Sequence, residues 1–516
     1  MKKKVISLML AAAMCVGMMA GCGNQAQTNT GAETGTQTGN ETGNQSEASS
    51  SAAVEEPQEL TEITIYMRGG EGQLSQQEVI DAMNEYSAEK IGVTINYNAI
   101  TSGEYKDKIT MGLAAQEDFD LMWMASYTNL LTLCEQEALM DITDLLPEYE
   151  GLYNVMPEDI WNSTEVQGRK YFIPNYKESF TGIGVVTPKA LADTVKEKYG
   201  IDFNEIECDS YFDIGNYEDY ILACMEEGVS VPLPNMMKLT SFRESNYKYE
   251  CLDNELFYVD KETHKVYFSY DIPEHTAVLR LMEEWQEKGI WKEEMLMSDF
   301  KADPILQEGS YALMGWNTVP DNYNNVVARY GVDVYIHEVG DTVILSSSAL
   351  GSGWSISGHS EKADACLKWL ELLNTDTEFA DLFAYGIEGK HYTRTADGVV
   401  DPIADSGWGA NALWKLTNYK VPSLTTKEAS DKKEQYEAAN NAAVASELLG
   451  FRADYSSLST EMAGINALHS ETKDLLAFGF YGMENYESLI AQFREAGVDK
   501  VVEELQTQVD AFFAGK

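Results

Sequence analysis

The strongest constraint on this chain's fold lies between Glu62 and Met124, where two hydrophobic periods alternate. Glu62-Ile63-Thr64-Ile65-Tyr66-Met67 is apolar at every second position, the period of a strand. After the turn Arg68-Gly69-Gly70-Glu71-Gly72 the period changes, and Val79, Ile80, Met83 and Tyr86 share one helix face. Val93-Thr94-Ile95-Asn96-Tyr97 reads as a second strand, Tyr105 to Ala115 as a second helix, and Phe119 to Met124 as a third strand entering Ala125-Ser126-Tyr127. Strand, helix, strand, helix, strand predicts a parallel sheet with right-handed crossovers, and so an α/β fold. No fixed-period repeat runs through the chain, which excludes solenoids and propellers.

With 516 residues, 44 % of them hydrophobic, there is material for about two to four domains with large cores. The charge excludes more. Against 37 Lys+Arg stand 84 Asp+Glu, a formal net charge of −47. Nucleic acid and anionic lipid both require a basic footprint, so neither is an expected partner.

The N-terminus reads as an address. Lys2, Lys3 and Lys4 precede a run from Val5 to Ala20 broken only by Ser7. A span needs about 20 apolar residues, so this shorter run is a secretory signal. Met19-Ala20-Gly21-Cys22 is similar to the bacterial lipobox, with Met19 where Leu is usual. Residues 1–21 are then a lipoprotein signal peptide, and Cys22 is acylated after cleavage. Residues 22–57 hold that cysteine and a tract of Gly, Asn, Gln, Thr, Ser, Glu and Ala with no apolar period, a disordered tether. Cleavage removes three lysines and no acid, leaving a mature charge of −50.

Beyond Cys22 remain Cys134, Cys208, Cys224, Cys251 and Cys366, an odd and scattered set. They are read as buried thiols, with one disulfide within Cys208, Cys224 and Cys251 left open. There is no CxxC and no HxxxH, so no metal and no cofactor is expected.

Further along, Leu256 to Val259 and Val266 to Phe268 predict a hairpin, Ile272 to Lys288 a helix stopped by Gly289, and Tyr311 to Met314 a buried strand. Val332 to Ile344 reads as a crossing strand and Glu361 to Asn374 as an amphipathic helix. At the C-terminus Val498, Val501, Val502, Leu505, Val509 and Phe512 recur at helical spacing, with Gly497 breaking the helix in two. That stripe is read as a core face in preference to a coiled-coil seam.

Gly70-Glu71-Gly72 invites a dinucleotide reading, but Ser75 stands where the third glycine belongs. What survives is a strand-to-helix turn whose backbone N–H groups suit polar ligands, neutral hydroxylated ones included, with Arg68 in reach. No GxSxG and no HExxH occurs, and among 84 carboxylates any glycosidase pair could be nominated, so no catalytic residue is assigned. The aromatics carry more information. Tyr127, Tyr176, Trp316, Trp354 and Trp408 sit where elements end, and Trp316-Asn317 joins a ring to an amide. Sugars offer apolar C–H faces to rings and hydroxyls to amides and carboxylates, which both kinds of residue serve.

Several segments together resemble the family-1 extracellular solute-binding proteins, lipoprotein receptors of ATP-binding-cassette importers. They are the lipobox, the turn near Ile63–Gly72, Tyr105-Lys106-Asp107-Lys108, Asp118-Phe119-Asp120-Leu121, Glu137 to Leu145 and Gln167 to Asn175. Tyr385-Gly386-Ile387-Glu388-Gly389-Lys390-His391-Tyr392 and Ala496 to Lys500 resemble the branch whose C-terminal domain has no assigned function. The resemblance implies a two-lobe periplasmic-binding-protein-like fold with an interlobe ligand cleft and a helical C-terminal region. It places crossings near Pro174–Tyr176, Ile336–Val343 and Thr395–Trp408, so lobe one would be 58–174 plus 344–395 and lobe two 175–343 plus 396–516. Arg68, Glu71, Ser126 and Tyr127 match loops facing the cleft from lobe one, and Trp316 matches a stacking position in lobe two. His391 is read as structural. The implied function is capture of a carbohydrate, a neutral oligosaccharide in particular, by lobe closure, for delivery to permease subunits. The protein would be a monomer on the outer face of the cytoplasmic membrane, held by lipid alone. A peptide or other non-sugar solute, or a cell-surface glycoside-active enzyme, are the alternatives.

Overall fold

The computed structural model describes residues 60–515 apart from 71, 167, 236–247, 253–254, 298–299 and 410–412. The signal peptide, Cys22, the tether and Glu71 therefore lie outside the described residues. Two mixed sheets make two lobes. The first has the order β2-β1-β3-β11-β4, built from β1 (Thr61–Arg68), β2 (Val93–Ile100), β3 (Leu121–Met124), β4 (Ile173–Pro174) and β11 (Gly353–Ile356). β1 is parallel to β2 and β3, and β11 is antiparallel to β3 and β4. The alternation in β1 does what it promised: Ile63, Ile65 and Met67 are fully buried while Thr64 and Tyr66 are not. Each such side chain contributes roughly 1.5–3 kcal/mol on leaving water. The helix Gln76–Ile91 covers this face with Val79, Ile80 and Met83 and ends at Gly92, whose φ of 71° is the left-handed cap that glycine takes readily. Asp120, buried before β3, accepts hydrogen bonds from the Thr64 N–H (2.8 Å) and the Ser360 hydroxyl (2.7 Å) and pairs with Lys362 at 3.1 Å. A buried carboxylate with three partners locks β1 to the loop before β11's helix.

The second lobe has the order β14-β10-β5-β9, with β5 (Thr181–Pro188), β9 (Met314–Asn317), β10 (Val334–Ile344) and β14 (Val444–Ala445). β9 begins at Met314, later than the apolar run suggests, because the N–H groups of Ala312 and Leu313 are taken by Pro232 O. A small sheet of β6 (Tyr249–Cys251), β7 (Phe257–Asp260) and β8 (Val266–Phe268) contains the expected hairpin. It packs on the C-terminal helices: Val498, Val501, Leu505 and Val509 are fully buried in one cluster with Phe257, Val259 and Phe268. The C-terminal stripe is thus a core face. Gly497, at φ 96°, separates the helices Tyr486–Glu495 and Val498–Gly515.

The chain leaves the first sheet after β4, returns before β11 and leaves again before β14. β10 is one strand through Ile344, so the return comes after Ile336–Val343. The last departure comes after Thr395–Trp408, because Val400, Trp408 and Leu416 are buried in the first lobe's core. The described cysteines are free thiols; burial pushes Cys134, Cys208 and Cys224 up to about 12, and they stay protonated.

Candidate ligand-binding site

One edge of each sheet carries the connections between the lobes. In the first sheet β1, β2 and β3 all end at that edge, bringing Arg68 and Ser126-Tyr127 together. Gly353 pairs with both Met124 and Pro174, so Ser352 and Asn175 arrive at the same edge. In the second sheet Thr181 pairs with Val343 and Ile183 with Asn317, so Asn317 stands at the edge where the connections arrive. The two edges face the same connecting segments, the crevice position in which open α/β sheets bind ligands.

Arg68 and the aromatics around it form the best-ordered group at the first edge. Ser352 Oγ accepts the indole N–H of Trp123 (2.9 Å) and an amide N–H of Asn175 (3.0 Å), which also reaches Trp414 O (3.2 Å). Trp123 is thereby fixed, fully buried, with Tyr105 beneath it and its O–H donating to Trp123 O at 2.6 Å. Above it stand Tyr127, 50 % exposed, and Trp414, 39 % exposed, each with its ring centroid 6.0 Å from Trp123. The Arg68 guanidinium lies 5.7 Å from the Trp123 ring and 5.6 Å from that of Tyr127, within cation–π range. Its Nε is buried with no hydrogen-bond partner among the described residues. Burial raises the Tyr127 phenol above its ordinary range, against the pull of Arg68, so it remains a neutral donor. Two open ring faces beside a fixed guanidinium can hold the apolar faces of a hydroxylated ring and its hydroxyls at once.

Trp414 also lines a cavity beside the connecting segments. Its aromatic wall is Tyr419 stacked on Tyr436, centroids 4.9 Å apart at 25°. Tyr419 is anchored through its N–H to Tyr176 O (2.8 Å), and the two rings lie 5.4 Å apart. Three lysines line the cavity: Lys177, paired with Glu178 at 2.6 Å, Lys432, paired with Glu428 at 2.7 Å, and Lys433. Burial holds the Lys433 ammonium below its ordinary range and, with nearby Glu178 and Glu428, pushes the Tyr436 phenol well up. The floor is rigid. Thr417 donates to Leu373 O and Asn374 Oδ1, Asn418 to Asn374 O, and Ser423 to Asp381 through both N–H and O–H.

Of the residues singled out from sequence, the structure brings Arg68, Ser126 and Tyr127 together. Tyr176 lies at the connection but is buried under Tyr419. Trp316 is half-buried on β9, edge-on to Tyr330 with its N–H on Asn322 Oδ1 at 3.1 Å, and Asn317 is exposed beside it. Trp354 and Trp408 correct the expectation: they are core. Trp354 is fully buried with its indole N–H on Leu416 O (3.0 Å), and Trp408 is 4 % exposed with its N–H on Phe383 O (3.2 Å). His391 is buried and accepts the Ile387 N–H at Nδ1 (2.9 Å); burial, then Lys390, lowers its pKa, so it is a neutral structural residue. Sequence reading passed over Trp123, Trp414, Tyr419, Tyr436 and Lys433. The available signal was composition, since residues 413–436 concentrate rings and lysines in an acidic chain.

Residues 71–221 match the model of the bacterial extracellular solute-binding proteins. Over that segment the chain is similar to the solute-binding proteins. Residues 447–514, in the helical C-terminal region, match a domain of unknown function, DUF3502. A carbohydrate ABC transporter substrate-binding protein of Streptococcus pneumoniae is 23 % identical over 459 residues, 85 % of this chain and 88 % of that protein. The N-glycan transport solute binding protein NgtS of the same species superimposes with a TM-score of 0.76 at 20 % identity, over 87 % of this chain and 98 % of that one. Its complex with Man5GlcNAc gives 0.69 at 20 % identity, over 88 % and 99 %. At these identities the structural likeness is one of fold.

Proposed function

We propose that this solute-binding protein captures an oligosaccharide between its lobes and delivers it to the permease subunits of an ATP-binding-cassette importer. The observation that carries the reading is the pair of half-exposed rings, Tyr127 and Trp414, that both pack on Trp123, with Arg68 against Trp123 and Tyr127. The carbohydrate names of the relatives support it. In this reading lobe one comprises 60–174 and 353–424 and lobe two 181–344 and 429–515, with the connectors as hinge. Ligand touching both lobes favours the closed state, which the permease recognises. Cys22 carries the lipid, the tether gives the body its reach, and the protein works as a monomer outside the membrane. Among the described residues no helix is long and apolar enough to cross a membrane.

A thermal-shift screen of the mature protein against oligosaccharides and peptides tests this. An oligosaccharide at a hundredfold excess over its Kd stabilises the native state by about 2.7 kcal/mol and raises Tm. A shift with peptides and with no oligosaccharide overturns the reading.

A further inference from the structure

The cavity beneath Trp414 reverses the charge of the molecule that contains it. The whole chain has more than two acids for each base, 84 to 37. The cavity is lined by Lys177, Lys432 and Lys433 against Glu428 alone, and residues 413–433 carry five lysines and two acids. Two of the three ammonium groups are already matched, Lys177 by Glu178 and Lys432 by Glu428. Lys433 is not. Its Nζ donates to the backbone oxygen of Lys420 at 2.7 Å, a neutral acceptor, and no carboxylate of the described residues stands within ion-pair distance. An ammonium has three donors, so two remain for a ligand.

We propose that this cavity receives an acidic sugar unit of the bound oligosaccharide, its carboxylate pairing with Lys433. The proposal rests on the carbohydrate reading above and deepens it. A partly buried cation with no direct ion pair is costly to hold, and a ligand carboxylate in contact with it lowers that cost at the moment of binding. The surroundings suit a sugar ring. Tyr419 and Tyr436 make a stacked wall, and Trp414 continues from the cavity to the rings beside Arg68, so a chain lying along the aromatics places one unit inside. The net charge of −47 selects among anions: a doubly charged phosphate is repelled at long range more than a singly charged carboxylate. Burial lowers the Lys433 pKa, and Asp381, Glu428 and Glu434, each beyond ion-pair distance, offset that only in part.

The test is calorimetric titration of the mature protein with oligosaccharides ending in glucuronic, galacturonic or sialic acid, each beside its carboxyl-reduced counterpart. Wild type is expected to bind one acidic member about tenfold or more tighter than its neutral partner, the worth of a charge-assisted hydrogen bond. Lys433→Gln should abolish that preference. Lys433→Arg, which keeps the charge, should retain a preference and guards against misfolding of the first variant. Equal binding of every pair, or a preference that survives Lys433→Gln, overturns the proposal. Binding of neutral members alone overturns it and leaves the carbohydrate reading standing. Failure of all members, acidic and neutral, overturns both.

Discussion

Four tryptophans near the candidate site differ in what holds the indole N–H. Trp123 gives it to Ser352, Trp354 to Leu416 O and Trp408 to Phe383 O, all inside the first lobe, while the ring of Trp414 is partly open. Trp354→Ala should cost about 3–5 kcal/mol in urea unfolding, the loss of a large buried side chain plus an orphaned carbonyl. Trp414→Ala should change stability by less than about 1 kcal/mol and weaken oligosaccharide binding about tenfold or more; unchanged affinity would remove its stacking role. A sequence does not say which side of a sheet edge a Trp takes, and so Trp354 and Trp408 looked as eligible as any. Arg68 and Tyr127 were legible because a strand end followed by a turn fixes where they stand. A different residue contributes to acid sensitivity. His275 is buried and its pKa is lowered to about 3, by burial first and then by His469. Unfolded, it takes up a proton below pH ~6.5. Stability is therefore full above that value and falls as pH is lowered towards 3, by about 2 kcal/mol between pH 7 and pH 5. Unfolding of His275→Gln at both pH values should show that share of the loss gone, and an unchanged slope would contradict it.

Among the elements, the departure from lobe one towards β14 is the most heavily fastened. The Ser423 N–H and O–H, together with the Arg394 guanidinium, converge on the fully buried Asp381, and Tyr385 donates to Ser423 O. Removing one partner of such a pair leaves a charge stranded. Arg394→Met is expected to cost about 3 kcal/mol and to weaken ligand binding with it, since Ser423 lines the cavity; native-like unfolding of the variant would count against the strap. Element by element, periodic patterns were readable: β1, the helix Gln76–Ile91 and the C-terminal helices bury the residues their spacing selected. What had no period was not readable. Residues 413–424 are held to lobe one by hydrogen bonds from Thr417, Asn418 and Ser423 to distant helices, and no local signal announces such partners.

At the scale of the molecule, net charge and local charge point in opposite directions. The field of −47 opposes anions at a distance, while three lysines line the cavity proposed to receive one at close range. The sequence alone favoured neutral ligands because it could count charges but not place them. The two-lobe arrangement was readable from strand and helix order together with the family resemblance, whereas the course of the connections depended on which core each segment joined. The central claim is that this architecture binds an oligosaccharide between its lobes and releases it unchanged. Calorimetric titration with the best oligosaccharide from the screen, followed by chromatography of the recovered sugar, measures this directly. The account predicts saturable binding of one oligosaccharide per protein, weakened by Trp414→Ala, with the sugar recovered intact. Absence of binding by any oligosaccharide, or recovery of shortened sugar, would contradict it.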